Sequence, residues 1–293
     1  MRKITSILRS VHFCIDNIGF LSWICRNNLQ SLIIGKLRFG FSPDILNAIR
    51  SDKYSDTQQS ELHTLAISYL RASNTLKTTG VDRTVLADNY IIEHAKRNSS
   101  PSVLEVGVSD GSSALTLLKN RELFSKIKLT DRYPHYFSEE IFLGKRFYDA
   151  ERKKHGVKRL FFLIDHYSQT EFDTENCARI ESINCRLKDH DVAELTYFNI
   201  FTSVESPVFD IVKCSNVLNQ SYFSESQILE AIKNIGSSLN QNGILVLSHN
   251  NDKYADSEAV VVLKKNGNTF SVIESLNQHE LLTTLENREI LSG

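Results

Sequence analysis

Neither a Cys-x-x-Cys pair nor a long apolar run occurs in this 293-residue chain. Its five cysteines (Cys14, Cys25, Cys177, Cys185, Cys214) are an odd number, which argues against a disulfide framework and suits reduced thiols in a cytoplasm. No His/Cys spacing resembles a zinc site, so none of the nine histidines points to a metal. The longest uncharged stretch of the N-terminal region, residues 17–25, is far too short to span a bilayer, and no small-residue cleavage site follows it. A formal net charge of −1 gives no global pull toward nucleic acid. The later part of the chain also has no basic stripe with interleaved aromatics. What remains is a soluble, cytoplasmic protein of ordinary composition, 41% hydrophobic and 24% charged, with room for one large domain and an appendage or for two small domains.

Residues 101–131, PSVLEVGVSDGSSALTLLKNRELFSKIKLTD, carry the most information. An apolar run (Val103, Leu104, Val106) leads into a loop with Gly107, Ser109 and Gly111. Helical spacing follows over residues 112–123, then a second apolar strand, Ile127 and Leu129, that ends on Asp131. Strand, glycine loop, helix, strand and acid make one βαβ unit of a nucleotide-binding sheet. Glycines let backbone approach a ligand closely, and an acid about 20 residues on can take both hydroxyls of a ribose.

Loop spacing narrows the ligand. A dinucleotide fingerprint starting at Gly107 needs glycines where this chain has Ser109 and Ser112, so two of its three glycines are missing. The same residues also spell G-x-S-x-G, the nucleophile elbow of α/β-hydrolases, with Ser109 as the nucleophile. An elbow normally follows several strands, whereas the preceding 95 or so residues look mostly helical and contain no HGGG-type segment. Glu105, Gly107 and Gly111 resemble instead the E/D-x-G-x-G-x-G motif of class I S-adenosylmethionine-dependent methyltransferases, with Ser109 in place of the middle glycine.

Around this unit the chain alternates. Residues 1–41 hold six basic side chains against the single acid Asp16, interleaved with apolar and aromatic residues. They read as a basic amphipathic helical pair that packs on the main domain, with a peripheral membrane surface or an oligomer contact as the other readings. Ser42-Pro43-Asp44 has the form of a helix start, Ser42 as cap and Pro43 first in the helix. Amphipathic helices are expected over residues 56–72 and 84–96, so residues 1–95 read as a helical cap or lid. Residues 135–193 read as a helix plus an insertion, with at most a short hairpin. Short strands follow at 195–198, 209–214 and 244–247, with a capping box at Ser224 to Gln227 opening a helix. Two β-rich runs flank Asn266-Gly267, a strong hairpin signal.

The resemblance spans residues 96–275 and implies a doubly wound, mostly parallel α/β sheet with a C-terminal antiparallel hairpin, preceded by an N-terminal helical region. It divides the chain into a cap, 1–95, and a Rossmann-like methyltransferase domain, 96–293, with an insertion at about 135–193. It implies S-adenosylmethionine as cofactor, held by Glu105, Gly107, Ser109, Gly111, Asp131, Asn199 and Ser215. Asn199 stands where the family usually has an acid gripping the adenine edge. His249 is the candidate general base and Tyr222 and Asn219 are candidates for positioning the acceptor; the plain alternative for His249 is an exposed loop histidine. No Asp/Asn-Pro-Pro-Tyr motif occurs, which argues against adenine or glutamine amino groups as acceptors. The expected activity is methyl transfer to a hydroxyl of a small-molecule, glycan or lipid-type acceptor, with a non-catalytic S-adenosylmethionine-binding module as the alternative.

Overall fold

Three crossings divide the chain into two units, one formed by Met1–Thr79 and Tyr133–Leu195, the other by Gly80–Arg132 and Thr196–Gly293. The computed structural model describes residues 11–25, 39–50, 54–70, 80–192, 194–206, 208–254, 256–286 and 290–291. All six basic residues of the 1–41 segment lie outside the described residues.

The first stretch contributes β1 (Val11–Cys14), α1 (Ile18–Cys25), β2 (Phe39–Gly40), α2 (Asp44–Ile49) and α3 (Asp56–Ser68). The chain then crosses to the second unit for α4 (Val85–Arg97), β3 (Ser102–Val106), α5 (Leu115–Lys119) and β4 (Lys126–Asp131). It returns for β5 (His135–Ile141), β6 (Gly144–Asp149), β7 (Lys154–Arg159), β8 (Phe162–Tyr167) and β9 (Ala178–Glu181). The last stretch supplies β10 (Thr196–Tyr197), β11 (Phe209–Ser215), α6 (Glu225–Gly236), β12 (Leu239–Asn250), β13 (Glu258–Asn266), β14 (Thr269–Leu276), α7 (Leu282–Glu286) and β15 (Ile290–Leu291).

The first unit corrects the expected helical cap. It is built on a seven-stranded sheet in the order β2-β1-β8-β7-β6-β5-β9. Its pairings are antiparallel apart from β1 with β2. Residues 135–193, expected as a helix with at most one hairpin, supply five of these strands, and β1 completes the sheet by pairing with β8, Phe13 opposite Phe162. Such pairing joins residues far apart in sequence and leaves no local signature. Tyr136, Phe147, Leu163 and Ile180 pack from one sheet face against Leu21, Ile45, Leu46, Leu62 and Ile67 of the helices. A capping box starts α3, with Ser55 Oγ accepting from the Gln58 N–H. Ser42 does not cap α2: Pro43 stands at the cap, and the Ser42 hydroxyl and N–H both donate to Asp16.

The second unit holds an eight-stranded sheet, β10-β4-β3-β11-β12-β13-β14-β15. β10 to β12 are parallel, and β13, β14 and β15 run antiparallel to their neighbours. Alternation along each strand builds two cores. Val103, Ile211 and Val246 pack with Ile91 and Ala95 of α4 and Leu117 of α5 on one face; Leu104, Val212 and Leu245 pack with Ile228, Ile232 and Ile235 of α6 on the other. Helices therefore cover both faces, as in a doubly wound sheet. α4, expected to belong to the cap, belongs to this unit, because its apolar stripe closes the core over Val103 and Ile211. The helix expected over 112–123 is broken into a 3₁₀ turn, the short α5 and a second 3₁₀ turn. The strand expected at 244–247 runs from Leu239 to Asn250, with a register shift opposite Phe209 and Ile211. No described helix is long and apolar enough to cross a membrane.

One buried cation ties these elements together. Lys213, in the middle of β11, is fully buried. Its Nζ donates to Asp88 Oδ1 of α4 at 2.7 Å, to Glu105 Oε1 of β3 at 2.9 Å and to Thr84 Oγ1 at 3.0 Å. Burial by itself drives an ammonium toward neutrality, but the Asp88 and Glu105 carboxylates more than offset this and hold Lys213 charged. Replacing Lys213 by Met should cost on the order of 3–5 kcal/mol in urea unfolding, since it leaves two carboxylates buried without their cation. Adding Asp88→Asn and Glu105→Gln in the same chain should recover much of that loss. A single variant as stable as the wild type would contradict this account.

Candidate functional site

The carboxyl ends of the parallel strands form one level row. Register pairs Tyr197 with Asp131, Thr130 with Val106, Val106 with Cys214, and Ser215 with Ser248. Ligands of open α/β sheets bind along this edge.

Gly107 leaves the row in a left-handed conformation, φ 77°, and a Cβ there would lie 2.2 Å from Val217 Cγ2. The loop is thus glycine at this point for both backbone and packing reasons. Gly111 closes it at φ 84°, its N–H donating to the Val108 carbonyl at 2.9 Å. Between them Ser109 also adopts a positive φ, 61°, at the position where the resembling motif has its middle glycine. Serine therefore takes up the backbone shape of the glycine it replaces, at a modest conformational cost. Gly107 and Val108 both donate to the Thr130 carbonyl, and the Ser109 N–H donates to Asp131 Oδ2 at 2.7 Å. The acid at the tip of β4 and the loop after β3 thus form one hydrogen-bonded piece.

Glu105 sits buried beneath the loop. Its Oε1 is taken by Lys213 and by the Ser113 hydroxyl at 3.2 Å, which no local spacing announced. Its Oε2 is buried without a hydrogen-bond partner, and so is Ser109 Oγ. Asp110 turns the other way and accepts from the Ser112 N–H and hydroxyl.

The remaining candidates separate. Ser215 ends β11 and accepts from Ser248 Oγ at 2.8 Å. Asn199 follows β10, but its carboxamide oxygen accepts from the Phe201 N–H at 3.1 Å and closes its own turn. Tyr222 lies on the turn before α6 and is exposed. His249 is corrected from a loop position: it is a buried residue of β12, paired across the ladder with Ala259.

His249 has the clearest chemistry of the group. Its Nε2 lies 2.8 Å from Asn219 Nδ2 and its Nδ1 3.4 Å from Glu280 Oε2. With Asn219 donating, the proton sits on Nδ1 toward Glu280 and Nε2 carries the lone pair. Burial lowers the pKa of His249, against the opposing pull of Glu280. His279, whose ring is 6.3 Å away, is lowered to about 4, first by burial and then by His249. Its Nδ1 accepts from the Leu281 N–H at 3.2 Å, which requires a deprotonated nitrogen. Glu280 and His279 lie outside the motif regions of the sequence, and only the fold brings them to β12. Among the described residues no group of three or more His, Cys, Asp or Glu is placed to hold a metal ion.

No protein-family model matches the chain, and no curated protein matches it. Solved structures resemble it at low identity. The YcgJ protein of Bacillus subtilis is 14% identical over 57% of this chain and 51% of its own, with a TM-score of 0.32. An S-adenosylmethionine-dependent methyltransferase from Clostridium acetobutylicum is 11% identical over 66% of this chain and 74% of its own, TM-score 0.35. The N-methyltransferase NodS from Bradyrhizobium japonicum, solved with S-adenosyl-L-homocysteine, is 12% identical over 67% of this chain and 73% of its own, TM-score 0.34. The chain thus spans about half the length of the first of these.

The His279 environment sets an acid limit. Its folded pKa of about 4 lies below the ordinary 6.5, so the unfolded chain binds the extra proton first. The associated stability is complete above pH 6.5 and is lost as pH falls toward 4, about 3 kcal/mol in all. Thermal midpoints measured across this range should fall more steeply for the wild type than for His279→Asn. Equal slopes would remove His279 from the account.

Proposed function

We propose that the second unit binds S-adenosylmethionine along the carboxyl edge of its sheet and catalyses methyl transfer to an acceptor hydroxyl. The observation that carries the reading is the hydrogen-bonded piece made by the positive-φ loop 107–111 and Asp131. A loop of this shape lets a ligand lie against backbone, and the acid beside it suits a pair of ribose hydroxyls. A buried polar atom without a partner, Glu105 Oε2, fits a ligand that brings an ammonium group. In this reading Gly107, Ser109 and Gly111 pass under the methionine portion, Glu105 takes its amino group, and Asp131 takes the ribose. Asn199 and Ser215 flank the base and the sulfonium end.

The cofactor supplies an already activated methyl group, so the protein contributes alignment and proton management. His249 is the base in this scheme. The Asn219 contact at Nε2 sets its tautomer, with Glu280 Oε2 3.4 Å from Nδ1; an acceptor hydroxyl in place of the Asn219 amide would pass its proton to Nε2 as its oxygen took the methyl group from the sulfonium sulfur. Burial that keeps His249 neutral favours this role, since a protonated imidazole accepts nothing. Tyr222 and Asn219 border the approach of the acceptor, which we take to be a small molecule, a glycan or a lipid-type compound in the cytoplasm. The hydrolase alternative is not supported: Ser109 Oγ has no hydrogen-bond partner, hence no base to activate it, and its N–H is committed to Asp131.

Calorimetry with S-adenosylmethionine tests the binding reading. Asp131→Ala should weaken affinity at least about tenfold, on the order of 1.4 kcal/mol or more. Ser109→Gly should bind as the wild type does, because glycine suits the left-handed backbone. Unchanged affinity in a folded Asp131→Ala protein would end the assignment.

Transfer is tested separately. The protein is incubated with methyl-labelled S-adenosylmethionine and a native cell extract, and the labelled products are fractionated. His249→Ala should slow labelling by roughly 10²–10⁴-fold while leaving cofactor affinity intact. Tight binding with no labelled product would instead favour a non-catalytic binding module, and equal rates would clear His249.

A further inference from the structure

Arginine carries a permanent charge and a planar fork of five N–H donors, so a half-buried guanidinium ordinarily meets a carboxylate or a row of carbonyls. Arg83, in the second unit, is half-buried and meets neither: among the described residues its guanidinium makes no hydrogen bond and no ion pair. Its backbone, by contrast, is held firmly. Arg83 directly precedes Thr84, the cap residue of α4, whose Oγ1 accepts from the Lys213 ammonium at 3.0 Å. The Arg83 carbonyl accepts from Asn250 Nδ2 at 2.8 Å. Asn250 is fixed in turn by Asn216, whose Nδ2 donates to Asn250 Oδ1 at 2.7 Å and whose Oδ1 accepts from the Asn250 N–H at 2.8 Å. Asn216 makes this bridge from a left-handed backbone, φ 59°, which asparagine tolerates better than most residues. The bridge joins the carboxyl ends of β11 and β12, and so ties Arg83 to the edge that carries His249, the neighbour of Asn250.

The acids around Arg83 are engaged elsewhere. Asp82 accepts from the Thr116 hydroxyl at 3.2 Å, and Asp88 is held by Lys213 and Thr84. Glu258 accepts from the Leu86 and Ala87 N–H groups, and Glu280 lies against His249 and Lys253. Burial pulls the Arg83 pKa below its usual value, and what opposes this is the Tyr222 phenol rather than a carboxylate. Burial also lowers the pKa of His249; Glu280 opposes it, and Lys253 and Arg83 add to the lowering. The guanidinium is therefore within electrostatic reach of both Tyr222 and the candidate base. Of the two cations there, Lys253 is exposed and satisfied by Glu280 and by the Tyr254 ring, 4.9 Å from its Nζ. Arg83 is the one with its donors unused.

A charge taken partly out of water without a counter-ion costs stability, and a ligand that brings an anion recovers it. The flat fork matches a carboxylate, which accepts two parallel N–H bonds, and the exposed Tyr222 hydroxyl supplies a further donor. We propose that Arg83 anchors the carboxylate of a hydroxy acid, whose hydroxyl is the one that His249 serves. The role of that acid as methyl acceptor rests on the methyl-transfer reading, while the carboxylate site rests on Arg83 itself.

The test is calorimetry on the full-length protein with lactate and 3-hydroxybenzoate, each against its neutral amide, and with 3-hydroxyphenyl phosphate, all with and without S-adenosyl-L-homocysteine. At least one of the two acids should bind at least about tenfold more tightly than its amide. Arg83→Gln should abolish that preference, and Arg83→Lys, which keeps the charge and loses the fork, should retain only part of it. Because the guanidinium makes no bond within the protein, Arg83→Gln should melt within about 3 °C of the wild type. Equal binding of acid and amide by the wild type, or a preference that survives Arg83→Gln, would overturn the proposal. A larger fall in melting temperature would do so too, by showing that Arg83 serves the fold, as would tighter binding of the phosphate ester than of either acid. Binding of S-adenosyl-L-homocysteine without any carboxylate preference would strike the Arg83 site and leave the methyl-transfer reading standing. A preference lost in Arg83→Gln, in a protein that does not bind S-adenosyl-L-homocysteine, would support the site and end that reading.

Discussion

The buried ammonium of Lys213 is the constraint around which the second unit is organised. Removing a lysine and two carboxylates from water costs several kcal/mol per ion, and this is offset only when charges and hydrogen bonds match closely. Here the match requires β11, β3 and the first turn of α4 to meet at one point. Glu258 of β13 adds to the same region, accepting from the Leu86 and Ala87 N–H groups at the start of α4. A helix that could pack by its apolar stripe at several heights is thereby held at one.

That constraint reaches the candidate site through Glu105. One of its oxygens belongs to Lys213, so the acid that opens the glycine loop is held from one side and leaves a single buried oxygen, Oε2, without a hydrogen-bond partner. The loop above is fixed from the side by Asp131 and from the neighbouring strand by the Thr130 carbonyl. A ligand arriving at this edge meets groups whose positions are already set, which lowers the ordering cost of binding. Ser109 shows how the loop tolerates a departure from glycine: a short polar side chain accepts the left-handed backbone that a larger one resists.

The first unit rests on a different principle. Its sheet is closed by pairings between β1 and a strand about 150 residues later in the chain, and its helices cover one face through Leu21, Ile45, Leu62 and Ile67. Apolar side chains that could have joined this core, Phe142, Leu143, Leu160 and Phe161, stand instead at two hairpin turns. The contrast between the filled core and the exposed turns of one unit separates the apolar residues that hold the fold from those that do not.

Short-range patterns were legible in the sequence because their causes are local. The βαβ run 101–131, the glycines of its loop, the acid at its end and the capping box at Ser224 each depend on residues a few positions apart. The amphipathic stripe of α4 was legible too, but a stripe says only that a face is buried, not against which partner, and so the helix was expected in the cap. Lys213 gave no signal beyond a cation inside an apolar strand, since Asp88 and Glu105 lie 125 and 108 residues away. The five strands of 135–167 and 178–181 were hidden by a charged, mixed composition that shows periodicity only once a partner strand defines the inner face. His249 was legible as a titratable group near a strand end, but its burial, its tautomer and its Glu280 partner came from the fold. The sequence by itself determined the loop's chemistry and the order of the parallel elements, because backbone conformation and strand-helix alternation are written locally. The tertiary structure alone decided which buried charges meet and which strands share a sheet, because both depend on contacts between residues far apart in the chain.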